Sequence, residues 1–124
     1  MDNSDNPTGS DKMYSMPLEY VYEMIAQNEQ HVSVAKDLIS DFIKDKKISD
    51  KVLFILVEIL FVSMSVLRLL DEEIETSVFH KNEASGKKEF IITSASIRIL
   101  QSLVLSKHHA IINLNKLSYS VSLH

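Results

Sequence analysis

Residues 52–70 read VLFILVEILFVSMSVLRLL, nineteen positions interrupted only by Glu58, Ser63, Ser65 and Arg68. A run this long and this apolar suits a helix, either inside a core or across a membrane. Lys51, Glu58, Ser65 and Glu72 recur every seven residues around it, with Arg68 and Glu75 nearby. On a helical wheel they form one narrow polar stripe and leave the other faces apolar, the pattern of a helix surrounded on most sides. Ser49 suits the N-cap and Asp50 the first turn. Asp71, Glu72, Glu73 and Glu75 would oppose the helix dipole if the helix stopped there, so it is expected to continue to about Phe79.

The flanking segments carry the complementary pattern. From Pro17, a good first-turn residue, apolar side chains fall at Leu18, Val21, Ile25, Val32, Ala35, Leu38, Ile39 and Phe42, in steps of three and four. Asn28 lies on this stripe, as a break between two helices or as one polar core position that sets register. A single helix over about 17–45 is the expectation, with Lys44, Lys46 and Lys47 at its carbonyl end. HKNEASGKK, residues 80–88, reads as a loop turning on Gly86. FIITSASIRILQSLVL, residues 90–105, has an ambiguous period: Thr93, Ala95, Ile97 and Ile99 alternate like a strand, while Ile97, Leu100, Val104, Ile111 and Leu114 follow helical spacing. The length of the patterned segment favours a third helix over about 92–117. LSYSVSL, residues 117–123, alternates like an extended edge.

The expected fold is therefore all-α, with three long helices in an antiparallel bundle. Residues 1–15 are expected to be a disordered acidic tail and 16–124 a single helical domain. Two glycines and two prolines in 124 residues cannot serve the turns of a β-sandwich or barrel. A chain this short buries only about two-thirds of its unfolded surface. A middle helix apolar almost all round thus calls for a homodimer or a partner.

Charge and motif content narrow the chemistry. The net charge is −4. Residues 1–79 carry 7 basic and 15 acidic side chains, and residues 80–124 carry 6 and 2, so the halves stand at −8 and +4 and attract in an antiparallel pairing. There is no cysteine, which removes thiol catalysis and thiolate metal sites. The first fifteen residues have neither a basic nor an apolar region of the kind a secretory signal needs. Seventeen serines occur without a G-x-S-x-G elbow, and no phosphate-cradling glycine loop is present. Glu19 with Glu23 and Asp71 with Glu75 read as solvated faces rather than acid and base pairs. His108 and His109 are adjacent, pointing about 100° apart on a helix, and lack further ligands at metal-binding spacing. His31 and His80 read as boundary residues. No catalytic residue, cofactor or metal ligand is expected.

Arg98, Lys107 and Lys116, nine residues apart, alternate sides of a helix and make no phosphate-tracking row, although Lys87, Lys88 and the histidine pair add a loose basic patch. Nucleic acid is thus a disfavoured partner, kept open as a transcriptional regulator with a weakly basic C-terminal half. The stronger rival is a membrane-associated protein anchored by residues 52–70, which span ~28 Å as a helix, near the hydrocarbon thickness. Fifteen large apolar side chains contribute roughly −6 kcal/mol to insertion, against several for Glu58, Arg68 and two serines. Lys36, Lys44, Lys46, Lys47 and Lys51 before the stretch and acidic residues after it would hold the N-terminus in the cytoplasm. The soluble bundle is preferred, because a lone span leaves the apolar faces of the neighbouring helices bare. The resulting expectation is a cytoplasmic, non-catalytic interaction protein: a chaperone-like, inhibitory or regulatory subunit that binds a partner helix or itself. Leu53, Leu56, Leu60, Leu67, Ile97, Leu100 and Val104 are the expected core or interface residues.

Overall fold

The computed structural model describes residues 12–45, 49–76, 80–81 and 88–117. The elements in chain order are β1 (Met13–Pro17), α1 (Leu18–Asp45), α2 (Asp50–Thr76), β2 (His80–Lys81), β3 (Lys88–Thr93) and α3 (Ser94–Lys116). The three long helices are those that the three-and-four spacing indicates. Helix α1 runs unbroken through Asn28, whose side-chain amide donates to the Met24 carbonyl one turn back at 2.8 Å. Ser49 caps α2, its Oγ accepting from the Val52 amide at 3.3 Å. At the start of α3 the cap is Thr93, whose Oγ1 accepts from Ser96 N at 3.2 Å, and the Ser96 hydroxyl donates to Glu73 Oε2 near the end of α2 (3.1 Å).

Two core clusters fix the directions of the helices. In the first, Val21 of α1 meets Val66 and Leu70 of α2, Phe90 and Ile92 of β3, and Leu100 of α3. In the second, Val34, Leu38 and Phe42 of α1 meet Val52, Leu56 and Ile59 of α2, with Ala110 and Leu114 of α3. Helix α2 is therefore antiparallel to both neighbours, and α1 and α3 run the same way. Helix α2 carries extensive contacts to each of them, while α1 and α3 hardly meet directly.

A three-stranded antiparallel sheet, in the order β1-β3-β2, closes the end where α1 and α3 begin. Met13 pairs with Thr93 and Pro17 with Glu89, and Ser94 N donates to the Lys12 carbonyl at 3.0 Å. Three expectations change here. Residues 13–15 are not tail but strand, because β3 offers them a ladder; residues 1–11 lie outside the described residues. Ile92 and Thr93 end a strand rather than begin a helix, since Phe90 and Ile92 point alternately into the core. The expected loop is shorter at both ends, with His80–Lys81 and Lys88 paired as strands. The expected extension of α2 to Phe79 and the alternating segment after Leu117 also fall outside the described residues.

Phe90 is the largest fully buried side chain and joins the sheet to all three helices. Phe90→Ala is expected to cost about 3–5 kcal/mol in chemical denaturation, whereas Phe54→Ala, on the outer surface of α2, is expected to cost less than about 0.5 kcal/mol.

Candidate functional site

Between the two apolar clusters lies a polar layer. Asn28 and His31 of α1, Ser63 of α2 and Lys107 of α3 are all buried. Lys107, 6% exposed, donates from Nζ to Asn28 Oδ1 at 2.6 Å, a bond spanning 79 residues of sequence and joining α3 to α1. Asn28 can do this because its amide nitrogen is already turned to Met24, which leaves its oxygen facing α3. Burial of the ammonium lowers its pKa from 10.5 to about 8 by desolvation. His31 is thus no boundary residue; it belongs to this interior layer. Lys107 is likewise interior, whereas Arg98 and Lys116, nine residues to either side of it, are exposed.

The other candidate is apolar and outward. The core positions of α2 all lie on one side: Val52, Leu56, Ile59, Ser63, Val66 and Leu70. Lys51, Glu58, Ser65 and Glu72 face water, as their spacing indicates. The apolar residues beside that stripe face water too: Phe54 is 77% exposed, Phe61 59% and Met64 43%. The helix is therefore surrounded on most sides, as its pattern indicates: within residues 52–70 only Phe54, Glu58, Phe61, Met64, Ser65 and Arg68 are exposed. The uncovered arc, however, carries apolar side chains as well as polar ones. Next to this line, Val32 of α1 and Phe61, Met64 and Leu67 of α2 border a crevice of about 490 Å³.

The seven residues expected at the core or interface divide accordingly. Leu56 and Leu100 are fully inside. Leu53, Leu60, Leu67 and Ile97 are half-buried at the margins of their helices. Val104 is exposed and not in the core. It lines an open cleft of about 640 Å³ between α1 and α3 with Tyr20, Met24, Ile97, Leu105 and His108. Residues Phe54, Phe61 and Met64 escaped the list although their signal is in the wheel: Phe54 and Phe61 fall within about 60° of the polar stripe, and Met64 falls about 40° from the exposed Arg68.

Glu19, Glu23, Asp71 and Glu75 are exposed, as are His108 and His109. Among the described residues no three His, Asp or Glu side chains come together in a metal-binding group. Compared with protein-family models, curated proteins and solved structures, the chain matches none.

The buried lysine has a measurable signature. The unfolded chain holds this proton up to pH 10.5 and the folded chain only to about 8, so the unfolded state binds more protons between these values and stability rises with pH across that window. The gain is expected to be up to about 3 kcal/mol. Unfolding of the native chain and of Lys107→Met, each at pH 7.5 and 10, isolates it: the difference between the two proteins is expected to shift in favour of the native chain at the higher pH.

Proposed function

We propose that the protein is a non-catalytic interaction subunit, regulatory or chaperone-like, that presents apolar helical surface to a partner helix or to a second copy of itself. The observation that carries this reading is the outward line of Phe54, Phe61 and Met64 on α2. Aromatic and methionine side chains in a row, bordered by charge, are the composition of a helix-docking surface. Covering what these three expose, together with the outer edges of the half-buried Leu53, Leu60 and Leu67, supplies the apolar burial that drives such docking.

The membrane-anchored reading keeps one observation in its favour: residues 50–75 form a helix whose most apolar window has a mean hydropathy of 2.4. Against it, Glu58 and Arg68 lie exposed within that length, and the opposite face carries the core contacts of both neighbouring helices. The nucleic-acid reading loses Lys107, which is inside.

Phe61→Asp tests the proposal, with Leu60→Asp as a companion at the edge of the same surface. Helix content and melting temperature of Phe61→Asp are expected to match the native chain, while association with itself or with a partner helix falls at least tenfold. A Phe61→Asp protein that associates as well as the native chain overturns the reading. Recovery only in detergent, with no monodisperse protein without it, favours the anchor instead.

A further inference from the structure

The outward face of α2 has a finer pattern than exposure alone. Phe54, Val57, Phe61, Met64, Arg68 and Asp71 follow one another in steps of 3, 4, 3, 4 and 3, the spacing of a coiled-coil seam. One flank of this seam is the charged row Lys51, Glu58, Ser65 and Glu72, all exposed. The other flank is the half-buried leucine row Leu53, Leu60 and Leu67. We infer that a second copy of this chain docks on this face, with its α2 antiparallel to the first and centred between residues 61 and 62.

The two flanks decide both the occupant and its direction. In a parallel pair of helices the charged flank of one lies against the leucine flank of the other, so Lys51, Glu58 and Glu72 would meet leucine. In an antiparallel pair like flanks meet: leucine covers leucine, and the charged rows run against each other in opposite order. With the centre between 61 and 62, Lys51 of each copy lies opposite Glu72 of the other, at both ends of the interface, and Glu58 lies opposite Ser65. The middle is filled by Phe61 and Met64 of each copy, an aromatic ring against a thioether. Arg68 lands within one turn of Glu58 and of Phe54 of the other copy, within range of an ion pair and of an aromatic face. The same surface thus complements itself in shape and in charge when turned by a two-fold axis, as an isologous dimer requires. The crevice bordered by Val32, Phe61, Met64, Ser65, Leu67 and Arg68 opens beside this seam, where the second copy would cover it.

This inference rests on the interaction reading above, and the two fail differently. The experiment is sedimentation equilibrium at low salt of the full chain, with Lys51→Glu, Glu72→Lys and the double variant. Each single change is expected to weaken the dimer roughly threefold to tenfold by opposing like charges at both ends, and the double variant is expected to restore it. Because the chain has no cysteine, Glu75→Cys carries a single spin label. Its distance to the label on the other copy is expected to be ~40 Å, 27 residues of helical rise, against ~10–15 Å for a parallel pair. A chain that stays monomeric to about 100 μM, a double variant no better than either single one, or a short label distance overturns the antiparallel dimer. Phe61→Asp still losing a partner helix in those cases leaves the interaction reading standing.

Discussion

The packing of α2 against α1 on one side and α3 on the other is the constraint from which the remaining features follow. Both outer helices are amphipathic and too far apart to cover each other, so each depends on α2 for its core contacts. A helix serving two neighbours needs an apolar arc of at least half its circumference, and residues 52–70 supply it. They supply more than the two neighbours use, and the surplus stands outward as Phe54, Phe61 and Met64. Architecture and proposed activity therefore come from the same nineteen residues: one side of the helix holds the molecule together and the other is available to a second helix.

The Lys107 to Asn28 hydrogen bond ties α1 directly to α3 across the middle of the molecule, between the two apolar clusters. The bond costs the burial of an ammonium, visible in its lowered pKa. A purely apolar layer would be at least as stable there, but it would tolerate sliding of α3 along α1; a single donor and acceptor pair at 2.6 Å does not. The sheet acts at one end to the same effect, with β1 leading directly into α1 and β3 into α3, so pairing the strands places the starts of both helices.

Much of this was legible in the residue order, and the exceptions share a physical cause. Helices α1 and α2 were readable because their periodicity is local, and the Ser49 cap and the continuity through Asn28 follow from neighbours within one turn. Strands were not readable in the same way: Met13–Pro17 is extended only because Lys88–Thr93, some 75 residues on, offers it a ladder. The burial of Lys107 is not legible in sequence, because charge alone says nothing about a partner 79 residues away. For α2, hydropathy gave the apolar excess but not which part of it the neighbours would use; that required the positions of α1 and α3. Leu56 and Leu100 were identified as interior, whereas Val104 stands at the edge of a cleft that sequence spacing has no means to indicate.

Helix α2 has a core face and a separate, solvent-facing apolar face, the one we propose for association. The five phenylalanines report on it directly, since Phe90 is buried while Phe54 and Phe61 are not. Ring resonances of phenylalanine-labelled protein, followed by NMR through a dilution series with a soluble paramagnetic probe, measure both properties at once. Phe54 and Phe61 are expected to shift with protein concentration and to be broadened by the probe when dilute, while Phe90 is expected to do neither. Protection of Phe61 at the lowest concentration, or probe access to Phe90, would contradict this assignment.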